Sequence, residues 1–256
     1  MLILDEDSDN EYYLEEDEEE YFLPEHKKTA IENNRDEFVF LCIDVGIINL
    51  GMSIITTDFE YNIKDVNAVD LINISDFKCD KDVCKLKHNK MCSDWVDHLI
   101  QNFGIAFEQV NNIFIERQPP SGLVAVEQLI LSKFRDKTIL IHPCSMHKFF
   151  NISKYDYEDR KKFTEKIAID SIKTDSIKDI FNSFERKHDM ADSICIGIFG
   201  INIIRKEFEE YKTNKENEKF LNNPFTLNKL SLNGITINEW FNKFYYRKSS
   251  YEKIYT

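Results

Sequence analysis

Glycine and proline are scarce, 7 and 5 in 256 residues. Only four glycines follow Gly104, none adjacent to another, so the second half offers no glycine-rich loop to cradle a nucleotide phosphate. No apolar run reaches the roughly 18 residues of a membrane span. The start, MLILDEDSDNEYYLEEDEEE, has neither a basic end nor a long apolar stretch and does not read as a secretory signal. Six cysteines are too few for a disulfide scaffold at this length, so an intracellular, reducing setting is expected.

A basic surplus is also missing. The net charge is −13, but it is unevenly placed: residues 1–37 hold 15 acidic and 3 basic residues, the other 219 hold 31 and 30. The excess therefore sits in an N-terminal tail, residues 1–36, expected to be disordered. Such a tail serves as a solubilising arm or as a DNA mimic competing for a basic groove. The remainder is free to carry basic patches. Apolar residues make up 42% of the chain, enough for a sizeable core.

The pattern predicts strands over 38–45 (FVFLCIDV), 49–57, 68–74, 112–117 (NIFIER) and 137–142. Helices are expected over 93–103, 122–135, 157–173 and about 188–212. Three adjacent strands followed by alternation imply an α/β fold, a mixed sheet covered by helices, within one domain. A polar extension follows from about residue 213 to 256. It ends in Trp240, Tyr245 and Tyr246 interleaved with Lys243, Arg247 and Lys248, which suits either strand stacking or docking of a terminal helix.

Acidic residues punctuate the apolar elements. Asp44 closes the first strand and Glu116 the fourth. Asp189 and Asp192 open an apolar helix in HDMADSICIGIFG, and their i, i+3 spacing puts both on one face. Singly, each has an ordinary role as a turn residue or a helix cap. Together, four carboxylates gathered at one sheet edge would repel and need divalent cations, and hard oxygen donors suit Mg²⁺ or Mn²⁺.

On IDVGIINLG, IERQPP and HDMADS, in that order, the chain resembles the RuvC-type Holliday junction resolvases of the RNase H-like superfamily. The likeness is greatest to the poxvirus-type and yeast mitochondrial members and spans residues 38–200. Asn49 and Gln118 also match recurrent positions. The resemblance implies an RNase H-like mixed five-stranded sheet flanked by helices, over 37–212. It implies a crossover junction endonuclease that nicks four-way and other branched DNA by two-metal hydrolysis, leaving 5′-phosphate and 3′-hydroxyl ends. Asp44, Glu116, Asp189 and Asp192 would hold two Mg²⁺ or Mn²⁺ ions per subunit, with Lys148 in HPCSMHKFF as a further catalytic candidate. Two opposed nicks imply a homodimer, for which the helix from Gly122 is a candidate interface and core packing the plainer role. A viral source would place the protein where viral DNA replicates, in the host cytoplasm or nucleus.

Two further clusters stand beside this set. Residues 79–92, CDKDVCKLKHNKMC, have the spacing C-x4-C-x3-H-x3-C, so Cys79, Cys84, His88 and Cys92 form a candidate zinc set. The alternative is a reduced cysteine-rich loop. Lys78, Lys81, Lys85, Lys87 and Lys90 make this 78–92 insert basic. In DRKKFTEK, Arg160, Lys161, Lys162 and Lys166 are candidates for DNA phosphate contacts, or else a solvated face. Cys42, Cys144 and Cys195 read as small core residues. Two other functions compete. One is a zinc-stabilised, non-catalytic branched-DNA-binding module. The other is an actin- or sugar-kinase-like ATPase, whose phosphate loop also reads D-x-G-x-x-N.

Overall fold

The computed structural model describes residues 37–76 and 84–221. The acidic tail, Cys79, Lys78, Lys81 and the aromatic C-terminal stretch lie outside the described residues. Five strands form one mixed sheet: β1 (Phe38–Asp44), β2 (Leu50–Thr57), β3 (Ile63–Ile72), β4 (Asn112–Glu116) and β5 (Thr138–Ile141). Their order is β3-β2-β1-β4-β5. β1 pairs antiparallel with β2 and parallel with β4, and β5 joins β4 in parallel. The helices are α1 (Cys92–Asn102), α2 (Gly104–Gln109), α3 (Val124–Lys133), α4 (Pro143–Phe149), α5 (Tyr157–Ser171), α6 (Asp175–Ser183) and α7 (His188–Leu221).

β1 reads as an unbroken apolar run because it is central and covered on both faces. Leu41 and Ile43 join Val96, Leu99, Phe107, Ile113, Ile115, Val126 and Ile130 in a core under α1, α2 and α3. Phe40 and Cys42 turn the other way; Phe40 stacks on Phe114 with ring centroids 5.5 Å apart. That face lies under α7. A Cβ on Gly197 would stand 2.4 Å from Cys42 Sγ, and one on Gly200 would stand 2.5 Å from the Phe114 ring. Any larger residue at these positions would lift the helix off the sheet.

β3 starts five residues before the expected strand, at Ile63 rather than residue 68. It is an edge strand, so its first half (IKDVN) lacks the apolar run that marks a strand in sequence. Three short helices, α2, α4 and α6, were not expected. α4 carries a local signal, proline at its first position after His142, whose Nδ1 accepts from the Cys144 amide at 3.2 Å; α6 carries another, Thr174 at its N-cap ahead of Ile177, Ile180 and Phe181 at helical spacing. Cys42 and Cys195 are buried as expected, but Cys144 is exposed, because it opens α4 rather than extending β5. Val126 and Ile130 of α3 belong to the core, the plainer of that helix's two expected roles. Among the described residues there is one sheet, not the duplicated fold of the actin-like ATPases. No helix among them is long and apolar enough to cross a membrane.

Candidate metal-binding active site

The geometry begins with two neighbouring parallel strands. Ile43 of β1 stands opposite Ile115 of β4, so the next residues along, Asp44 and Glu116, emerge side by side at the same sheet edge. On the other flank of Asp44 its antiparallel partner is Gly51. A Cβ at Gly51 would lie 2.0 Å from the backbone oxygen of Asp189. The missing side chain lets the first turn of α7 rest directly on β2 and brings Asp189 and Asp192 to Asp44.

Asp44 feels the charge of each of the other three carboxylates. Burial, then the charges of Glu116, Asp192 and Asp189, hold Asp44 well above the ordinary carboxylate range. Asp44 also hydrogen-bonds Glu116, which raises Asp44 further and works against the rise of Glu116. Glu116 is raised by burial and by the charge of Glu127, against hydrogen bonds from Asp44, Gln118 and the Val45 amide. Asp192 is pushed up to about 7, chiefly by burial, with Glu116 and Asp189 adding repulsion. A Thr164 hydrogen bond and the Lys161 charge work the other way. Burial raises Asp44, Glu116 and Asp192 together, a poor arrangement for the bare protein. It is a good one for cations, whose charge offsets the repulsion among the carboxylates. The donors are all oxygen, as Mg²⁺ and Mn²⁺ prefer.

Supporting residues fix each carboxylate. Gln118 Nε2 donates to Glu116 Oε2 at 2.5 Å. The Gln118 amide in turn donates to Glu127 Oε2 at 2.6 Å, and Glu127 is only 3% exposed. Arg186 grips Asp189 with Nε at 2.5 Å from Oδ2 and Nη2 at 3.3 Å from Oδ1. His188 Nε2 is buried without a hydrogen-bond partner, 3.6 Å from Asp189 Oδ1. Burial lowers the His188 pKa, so its ring is neutral near pH 7. Of these supports the sequence reading named Gln118 and Lys161, the latter as a DNA contact. Arg186, Glu127 and Thr164 were missed, although Arg186 stands three residues before Asp189 and Glu127 interrupts an apolar helix.

The other candidates distribute unevenly. Lys148 is exposed on α4, which follows the end of β5 beside Glu116. Lys161 packs its Nζ 3.9 Å over the Tyr157 ring and senses Asp192. Lys162 pairs with Asp159 at 2.9 Å. Arg160 donates to the Tyr155 carbonyl at 2.8 Å, and Lys166 is exposed. The Cys/His insert changes membership. Cys84 and His88 come together with His98 of α1, their ligand atoms all within 4.8 Å of one another. Cys92 is not among them, because its side chain packs against the core.

This fold is the one found in solved Holliday junction resolvases. The structure of the yeast mitochondrial Holliday junction resolvase Ydc2 superposes with a TM-score of 0.52 at 13% identity, covering 75% of this chain and 92% of that one. The fowlpox virus resolvase bound to Holliday junction DNA covers 65% of this chain and 99% of its own, with a TM-score of 0.49 at 18% identity. At these identities the likeness is one of fold. The chain belongs to the family described as Poxvirus A22 protein, whose model matches residues 38–205. No curated protein sequence matches the chain.

Proposed function

We propose that the protein is a Holliday junction resolvase, a metal-dependent endonuclease that nicks four-way and other branched DNA. The observation that carries this is the convergence of Asp44, Glu116, Asp189 and Asp192 at one sheet edge, in a chain of the poxvirus A22 family. These four side chains would hold two Mg²⁺ or Mn²⁺ ions, which when bound would supply an activated water and stabilise charge on the leaving 3′ oxygen. Asp44, raised by the charges of the other three, would be ionised as a ligand. Gln118 and Glu127 keep Glu116 aimed at the site, and Thr164 does the same for Asp192. Arg186 holds Asp189 in place. Lys148 meets the phosphate from the open side, and Arg160, Lys161, Lys162 and Lys166 hold the flanking backbone. A junction needs two opposed nicks, so the working form is a homodimer.

The test is nicking of labelled four-way, three-way and linear duplex DNA, with and without Mg²⁺. Preferential, symmetric cutting of the four-way junction is expected. The D44N variant should bind that junction as the parent does and cut it about 10²–10³-fold more slowly, as expected when a transition-state stabiliser is removed. Equal turnover by D44N would remove the carboxylates from the chemistry. Junction binding without any nicking by the parent chain would instead favour the non-catalytic DNA-binding reading.

A further inference from the structure

The loop before α1 carries chemistry that DNA cleavage does not use. Cys84 is half-buried, His88 exposed and His98 buried, and their Sγ and ring nitrogens lie within 4.8 Å of one another. Cys84 Sγ is 3.5 Å from His98 Nε2. A tetrahedral zinc, with Zn–S near 2.3 Å and Zn–N near 2.05 Å, places its sulfur and nitrogen ligands about 3.5 Å apart.

The tautomer of His98 is fixed by its own helix. Nδ1 lies 2.6 Å from the backbone oxygen of Asp94. A carbonyl only accepts, so Nδ1 carries the proton and Nε2 turns its lone pair toward Cys84. A ligating histidine held through its other nitrogen is the usual supporting arrangement at zinc. The His88 ring sits beside it, centroids 4.9 Å apart. The same stretch is pinned a second time by Asp94, whose Oδ2 accepts from the Asn89 amide at 2.7 Å.

We infer that Cys84, His88 and His98 bind one zinc ion, and that Cys92 takes no part. The thiol of Cys84 loses its proton on binding, and one further donor completes the tetrahedron. The ion fastens the basic loop carrying Lys85, Lys87 and Lys90 to α1, a helix rooted in the core. The site is independent of the acidic edge, so a protein that binds zinc but never cuts DNA leaves this inference standing.

The experiment measures zinc per chain in the full-length protein, titrated with zinc chloride in excess Mg²⁺ and freed of unbound metal. One equivalent is expected for the parent and for C92A. Less than about a tenth of an equivalent is expected for C84S, H88A and H98A. C84S changes only the loop and leaves α1 intact, so it decides the matter should H98A fail to fold. In cobalt-loaded protein the thiolate-to-metal absorption should be present in the parent and C92A and absent in C84S. A parent chain that takes up no zinc, or a C92A variant that loses it while H98A keeps it, overturns the inference.

Discussion

Replacing Gly51 with alanine tests how the acidic edge is assembled without touching a single carboxylate. The new Cβ would sit 2.0 Å from the Asp189 backbone oxygen, about 1.4 Å short of the 3.4 Å at which ordinary contact begins. The obstacle is the backbone of a helix, so no side chain can swing aside. Nor can α7 slide easily, because Gly197 and Gly200 lock it against Cys42 and Phe114 farther along. The first turn must lift, carrying Asp189 and Asp192 away from Asp44 and Glu116. Overpacking of this kind costs about 1–3 kcal/mol. For a domain of this size that lowers Tm by roughly 2–4 °C per kcal/mol. The catalytic penalty is larger, because a misplacement of about 1 Å costs on the order of 10²-fold in rate. Single-turnover nicking of a labelled junction, beside a gel shift without divalent metal and a melting curve, reads all three quantities. Expected are unchanged junction binding, a Tm a few degrees lower and a rate about 10²-fold down. A G51A variant with parental rate and Tm would refute the claim that this contact sets the carboxylate spacing.

The raised carboxylates make stability depend on pH in a definite direction. The unfolded chain releases these protons near the ordinary value of about 4, whereas folded Asp192 holds its proton up to about 7. Between those values the folded state binds more protons, so metal-free stability should fall as pH rises from about 4 to about 7. Mg²⁺ or Mn²⁺ should offset the fall, most strongly at the alkaline end; a flat metal-free Tm across that window would contradict the site's electrostatics. For the same reason D44N should melt higher than the parent at pH 8 without metal and gain less from added Mn²⁺. In E127Q the Gln118 amide keeps an acceptor but Glu116 loses a repulsive neighbour. Its acidic pH–rate limb should move to lower pH; an unmoved limb would separate Glu127 from the site. T164V removes the hydrogen bond that favours ionised Asp192. Its nicking should need higher pH or more Mg²⁺ than the parent's, as read from metal titrations at pH 6 and 8.

The sequence by itself determined the central strands and the positions of the acidic residues at their ends. Both are local signals. A strand covered on two faces must be apolar throughout, and a carboxylate can follow only where the cover stops. The i, i+3 pair on α7 was equally legible, since helical periodicity alone puts both on one face. The polar half of β3 was not legible, because an edge strand needs little apolar surface. Nor were the residues that make the acidic edge work. Gly51 matters only because α7 lands on it, and Glu127 and Thr164 only because their helices dock beside Glu116 and Asp192. Cys92 and His98 make the same point. Six residues apart on α1, they face directions about 120° apart, and the docking of that helix on the core decides which one meets Cys84. Spacing along the chain fixes what a single element presents. Which elements present it to each other is set by long-range packing, which buries one face of each helix and so selects the partners of the other.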